Sequence, residues 1–247
     1  MPAQQAPTGD DHDAPQPSLW ERLDRPAPAP RSTLTPERIA EAAVAIADTE
    51  GLDAVTMRRL ATALGVAPMA AYRYVSGKDE LIELMVDSVY GGLPLDAPAA
   101  DWRTTMHALA VHLRAMSLAH PWIARAATPF SLSPHQLAVP ERAFAALAGH
   151  GLDADTTMAI FRTVAIYVHG SSATDIALQD LRRSRGWSDG DETRVGLAPR
   201  MSYLMGTGRY PAYQQYLRQA TRKDDPDWHF ETGLDCVLDG IAAHFGI

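Results

Sequence analysis

The sequence predicts an all-α fold in two unequal parts, a small N-terminal three-helix unit containing a helix-turn-helix and a larger helical body. Three observations carry this. Apolar residues recur three and four apart through most of the chain beyond residue 34. No segment alternates apolar and polar residues as a half-buried strand does, and no repeat of roughly 20–50 residues is apparent. Helix ends are punctuated by cap residues, with Thr35-Pro36-Glu37 at a start and Glu50-Gly51 at a stop.

The elements follow in order. Residues 1–33 are rich in Pro, Ala and Asp without helical periodicity, which predicts a disordered arm. Within it Leu19-Trp20-Glu21-Arg22 is a short apolar anchor, and Arg22, Arg25 and Arg31 sit among prolines that keep the backbone extended. A solvated tail is one reading of this arm; basic residues tracking DNA phosphates or the minor groove are the other. The first long helix places Ile39, Ala42, Ala43, Ile46 and Ala47 on one face, and Leu52 and Val55 complete its small core. A helix over 57–63 has Thr56 as N-cap and Leu60, Ala61 and Leu64 as its stripe; Gly65 then supplies the left-handed conformation that stops it. A second short helix, about 68–74, opens on Pro68. The fourth helix starts at Lys78-Asp79-Glu80, with Leu81, Leu84, Met85, Val86 and Val89 as core, and stops at Gly91-Gly92.

Beyond the linker LPLDAPAAD the helices read as 102–119, 122–127, 134–148 and a long 154–182 capped by Asp153. A loop over 184–193, one or two shorter helices over 197–220 and a final helix over 227–245 complete the chain. Phe230, Leu234, Val237, Leu238, Ile241 and Phe245 lie on one side of that last helix. The expected organisation is an arm (1–33), a helix-turn-helix domain with its connecting helix (34–92) and a C-terminal domain (93–247).

Charge and cysteine content narrow the function. The 247 residues are 46% hydrophobic, enough for a sizeable core. The single cysteine, Cys236, excludes an internal disulfide framework and a cysteine-based zinc site, and fits a reducing cytoplasm. No stretch reads as a signal peptide or membrane span. A formal charge of −8 argues against a general nucleic-acid coat, so DNA contact requires a local patch. Residues 55–78, VTMRRLATALGVAPMAAYRYVSGK, provide one, with Arg58, Arg59, Arg73 and Lys78 and no acid. The wider segment 31–92 holds six basic and nine acidic residues.

The run AAVAIADTEGLDAVTMRRLATALGV, together with Tyr72-Arg73-Tyr74-Val75 and Lys78-Asp79-Glu80-Leu81, resembles the TetR family of bacterial repressors over about residues 35–92. The helical remainder is similar, more loosely, to the C-terminal domain of the tetracycline-repressor branch. The resemblance implies a homodimer that binds palindromic operator DNA, represses nearby genes and releases when a small molecule enters the C-terminal domain. It places Arg58 where family members read a guanine edge, a role suited to a bidentate guanidinium. Pro68, Met69 and Ala70 fall nearest the base edges, where their lack of hydrogen-bonding groups favours contacts such as thymine methyls. Tyr72, Tyr74 and Lys78 fall at phosphate-contacting positions, and Thr56, Met57, Ala67 and Arg73 complete the implied DNA-binding set. Core packing of Tyr72, solvation of Arg59 and a surface ion pair for Arg73 are the structural alternatives.

Helices 154–182 and 227–245 correspond in order and length to the pair that forms the family's dimer bundle. Ala165, Gly170, Ser171, Ser172 and Ala173 are small enough for close approach there. Trp102, Met106, Leu109, Met116, Phe130, Phe161, Tyr167, His169 and Trp187 are candidates to line an apolar cavity, although each also suits a core. The ligand this implies is hydrophobic or aromatic. Where the tetracycline-repressor branch has a histidine and a glutamate for a magnesium chelate, this chain has Ala127 and Thr174. Neither a metal nor another cofactor is therefore expected. His107 and His112 are five apart and off one helical face, and there is no phosphate-binding glycine loop or G-x-S-x-G elbow, so catalysis is not expected. A constitutive architectural DNA-binding dimer is the alternative to a ligand-responsive repressor. In the repressor reading, ligand shifts the population towards a state in which the fourth helix has swung and respaced the recognition helices.

Overall fold

The computed structural model describes residues 17–25, 34–95, 101–126 and 133–247. Its described residues form helices and connecting turns, with no strand among them. The helices are α1 (Leu19–Leu23), α2 (Pro36–Glu50), α3 (Met57–Leu64), α4 (Pro68–Ala71), α5 (Lys78–Gly91), α6 (Trp102–Ala119), α7 (Ile123–Ala126), α8 (Pro134–Leu147), α9 (Ala154–Arg185), α10 (Gly190–Gly206), α11 (Pro211–Gln219) and α12 (Pro226–Phe245). A 3₁₀ turn, Leu52–Ala54, joins α2 to α3.

The N-terminal unit closes around Ile39, Val55, Leu60, Val75 and Leu81, all completely inaccessible to solvent. Each such side chain contributes roughly 1.5–3 kcal/mol of burial free energy, before chain entropy opposes it. Thr35 and Thr56 cap α2 and α3 by accepting the backbone N–H of Arg38 and Arg59. Gly65 has φ 66° and ψ 32°, the left-handed stop expected of it, and its N–H bonds back to Ala61 and Thr62. The recognition segment is shorter than its predicted span of 68–74. Its α-helical part ends at Ala71, and the next turn tightens to a Tyr74 N–H···O=C Ala71 bond before the Ser76-Gly77 bend.

The expected disorder of the whole arm is corrected at residues 17–25. Ser18 and Glu21 form a reciprocal capping box at α1, and Leu19 is buried in the N-terminal core. Trp20 Nε1 donates to Glu83 at 2.5 Å, and Arg22 pairs with Glu80 at 2.5 Å, so α1 is strapped to α5. Residues 1–16 and 26–33, including Arg31, lie outside the described residues.

In the body, α6 packs against α8 and α9, and α12 against α9 and α6, while α5 packs against both α2 and α8. α9 buries one narrow stripe, Ile160, Val164, Val168 and Ser172; α12 buries Phe230, Leu234, Leu238 and Ile241. Phe245, predicted on that buried side, is 38% exposed at the helix end. The loop predicted over 184–193 is shorter than that. Gly186 stops α9 in a left-handed conformation, and Asp189 caps α10 by accepting the Glu192 N–H while Glu192 accepts the Ser188 N–H. Asp189 and Glu192 have the spacing of a capping box, a local helix-start signal, and α10 begins there despite Gly186 and Gly190. Within α10 only Thr193 is buried, and α11 buries nothing.

Candidate nucleic-acid interface and body cavity

The helix-turn-helix presents a mixed apolar and cationic face. Its cations divide into two groups. Arg59 is tied to Glu50 by guanidinium bonds of 2.5–3.2 Å, which raise the pKa of Arg59 and lower that of Glu50. Arg58, Arg73 and Lys78 are exposed and have no ion pair among the described residues. In an acidic chain, three unpaired cations on one small unit are chemically suited to phosphate or guanine acceptors.

The other predicted contacts separate further. Met69 is 71% exposed and Tyr72 44% exposed, with Ala67 and Pro68 beside them at the surface and Ala70 half-buried. Met57 is half-buried against the core. The Thr56 hydroxyl is exposed but already accepts the Arg59 N–H. Tyr74 is corrected: its hydroxyl donates to the Leu34 carbonyl at 2.7 Å, fastening the start of α2 to the recognition turn rather than standing free. Arg22 is corrected likewise, because Glu80 and the Pro17 carbonyl take its guanidinium. Burial pushes the Glu80 carboxyl up, but hydrogen bonds from Arg22 and the Ser76 N–H outweigh this and hold it below the usual range. Arg25 is exposed, and its charge acts on Glu21.

The junction between the small unit and the body is a set of polar latches. Asp87 of α5 is only 4% exposed and accepts both the backbone N–H and the ring Nδ1 of His135, at 2.8 and 2.7 Å. The His135 ring lies against Gly91, where a Cβ would stand 3.2 Å from it. Asp48 of α2 accepts from His120 Nδ1 at 2.8 Å and Trp122 Nε1 at 2.7 Å, and Asp53 pairs with Arg125. None of these partners was legible from local sequence, because each pair is 48 or more residues apart.

Beside this junction is a cavity of about 470 Å³, bounded by α5, α6, α7, α8 and α9. That size suits a small organic molecule. Tyr90, Leu113, Ile123, Gln136 and Val139 line it, with Phe161, Arg162, His169 and Ser172 from α9. Gln136 hydrogen-bonds the Tyr90 hydroxyl, while burial pushes the Tyr90 pKa up. Ser133 donates to Gln136 Oε1 at 3.0 Å, fixing the amide.

Of the predicted lining residues, Phe161 and His169 are in this wall. Trp102, Met106, Leu109 and Met116 are corrected to core: each is less than one-tenth exposed, and α6 turns Leu113 and Ser117 to the cavity instead. Tyr167 is on the neighbouring face of α9, stacked on Phe230 and donating to its carbonyl at 2.7 Å. Trp187 covers Gly196 of α10 so closely that a Cβ there would collide with the ring. Phe130 and Ala127 lie outside the described residues, and Thr174 returns its hydroxyl to the Gly170 carbonyl. Among the described residues no group of three or more His, Cys, Asp or Glu is arranged to hold a metal, and no helix is long and apolar enough to cross a membrane.

Two family descriptions match most of the chain: bacterial regulatory proteins of the tetR family over residues 39–85, and the tetracyclin repressor-like C-terminal domain over 93–245. The HTH-type transcriptional repressor DrrR1 of Streptomyces coeruleorubidus is 34% identical, over 90% of this chain and 83% of its own. Among solved structures, the transcriptional regulator SCO7222, a TetR from Streptomyces coelicolor, superposes with a TM-score of 0.69 at 26% identity, covering 85% of this chain and 98% of that one. The TetR family protein ActR of the same organism, solved in complex with actinorhodin, gives 0.68 at 27% identity, covering 86% and 97%.

Proposed function

The chain belongs to the TetR family of helix-turn-helix transcriptional regulators, and from that premise we propose that it is a homodimeric repressor released from operator DNA by a small molecule bound in the body cavity. One observation carries the ligand-responsive reading: α5 serves both sites. Its first residue, Lys78, is one of the unpaired cations of the DNA face, and Tyr90, near its other end, is in the cavity wall. Between them Asp87 ties the helix to α8. A molecule pressing on Tyr90 or Gln136 therefore acts on the helix that carries the reading head.

Dimerisation follows from DNA geometry and from the open faces of α9 and α12. Two recognition segments reach successive major grooves only when held about 34–36 Å apart. Beyond its buried stripe, α9 leaves Ile166 65% exposed, and α12 leaves Trp228 and Phe245 partly open. On a second copy these faces would form an isologous four-helix contact. Arg58 is assigned to a base edge, Arg73, Lys78 and Tyr72 to phosphates, and Pro68 and Met69 to apolar base contacts. With so few hydrogen-bonding groups at the recognition positions, DNA shape supplies part of the specificity.

The test begins with selection of bound duplexes from a random pool by the full-length protein. A palindrome with half-sites about one helical turn apart is the expected product. Release of that duplex is then screened with small molecules, and ligand affinity is measured with and without DNA. Linkage requires the same factor in both directions. A selected site without two-fold symmetry would sink the dimer reading, and equal ligand affinity in both states would sink the repressor mechanism.

A further inference from the structure

Resting on the reading of this cavity as the regulatory site, we propose that its ligand is an amphipathic acid: an apolar ring system bearing a carboxylate or phenolate that pairs with Arg162. The wall is chemically one-sided. Leu113, Val139 and Phe161 make an apolar surface, and among the described residues no Asp or Glu lines the cavity, although the chain carries 30 acidic residues. Arg162 is the permanent cation of that wall. Two arginines packed between α6, α9 and α12 have carboxylate partners, Asp235 and Asp239 for Arg103 and Asp175 and Asp227 for Arg114. Arg162 has no hydrogen-bond or ion-pair partner among the described residues.

A second observation points into the same space. Ser172 is 2% exposed, lines the cavity, and its hydroxyl has no hydrogen-bond partner. Helical hydroxyls in this chain normally return to the carbonyl four residues back, as Ser117, Thr163 and Thr174 do. Ser172 does not, and a buried hydroxyl left unpaired is destabilising. A polar substituent on the ligand would satisfy it. His169 adds one acceptor: its Nδ1 donates to the Ala165 carbonyl at 2.7 Å, which leaves Nε2 to receive a ligand hydroxyl. A cationic ligand would meet Arg162 with no carboxylate among the described wall residues to offset it, so selectivity for anions follows from the composition of the cavity.

Calorimetry on the full-length protein tests this with matched probes of one shape: anthraquinone-2-carboxylate, its carboxamide and 2-(aminomethyl)anthraquinone, together with the corresponding naphthalene set. The carboxylates should bind about tenfold tighter than the carboxamides, as an ion pair does over a guanidinium hydrogen bond to a neutral carbonyl, and the amines weakest. Arg162→Gln should bring acid and amide affinities together, weakening the acid far more than the amide, and Arg162→Lys should keep part of the preference. Ser172→Ala should weaken acid and amide together. Equal binding of acid and amide to the native protein, or a preference that survives Arg162→Gln, overturns the ligand class and leaves the cavity reading standing. Failure of every probe to bind overturns both. Unfolding curves of the variants separate lost folding from lost recognition.

Discussion

The two halves of the molecule bury their apolar residues in different ways. In the helix-turn-helix unit, short helices and one 3₁₀ turn converge on a single point, so Ile39, Val55, Leu60, Val75 and Leu81 are all sealed within one chain. In the body, α9 runs for 32 residues and buries four of them, while α10 and α11 together bury one. Helices packed around one centre present their apolar stripes to a single core. A long helix packed on one side keeps its other faces open, and those faces are where a second copy or a ligand is accommodated. The small unit is therefore complete as a fold and incomplete only in its charges, whereas the body is incomplete in its packing.

The strongest way to break that contrast is to remove what does close the body. Phe230 is 1% exposed, stacks on Tyr167 and lies under the Arg114 guanidinium at 4.7 Å. Phe230→Ala should cost about 3–5 kcal/mol in urea unfolding. A loss below about 1 kcal/mol would show that the α12 stripe does not hold the body together. The junction comes next. Asp87→Ala leaves two His135 donors without their acceptor and should cost about 1–3 kcal/mol. If the latch transmits the ligand signal, the same variant should also narrow the ratio of ligand affinities with and without operator.

The charges of the small unit can be separated by paired substitutions. Arg58→Ala should weaken the selected duplex by about 1–3 kcal/mol at fixed salt. Arg59→Ala, which removes a surface partner of Glu50, should change it by less than about 0.5 kcal/mol. Equal losses would erase the distinction between paired and free cations. Gly65→Ala, at φ 66°, should destabilise the small unit by about 1 kcal/mol through backbone strain alone, with no clash because open space surrounds the position. An unchanged melting curve would contradict that strain.

The smallest expected effect is on the α1 strap. Glu80 has a folded pKa below its ordinary 4.5. Its contribution is therefore present at neutral pH and is lost as pH falls from about the ordinary value through the lowered one. The partly solvent-accessible pair keeps this to about 1 kcal/mol. Trp20 fluorescence, taken as the difference from a Trp20→Phe variant, should show an acid step that Arg22→Ala removes. Persistence of the step in Arg22→Ala would assign it to another carboxylate.

What was legible depended on range along the chain. The Thr56 cap, the Gly65 stop and the Leu60 stripe are local signals, and the helix-turn-helix followed from them. Leu19 and Trp20 were legible as an apolar anchor, but the helix they form and its docking on α5 required Glu80 and Glu83, about sixty residues away. The cavity was read least well. Periodicity identified the apolar face of α6, yet Met106 and Leu109 face the core while Leu113 and Ser117 reach the cavity. A helical stripe gives a direction around its own axis, not the identity of the helix it meets.

By itself, then, the sequence determined the all-α class, the position of the reading head and its run of cations without acids, because caps, turns and periodicity act within a few residues. Only the tertiary structure decided which cations are free and which hydroxyls are satisfied. It freed Arg58 and Arg162, occupied Arg22 and Arg59, tied down Tyr74 and left Ser172 without a partner. Those outcomes depend on which side chains meet across distant helices, and a hydrogen bond is available to a ligand only when no neighbour in the fold has already taken it.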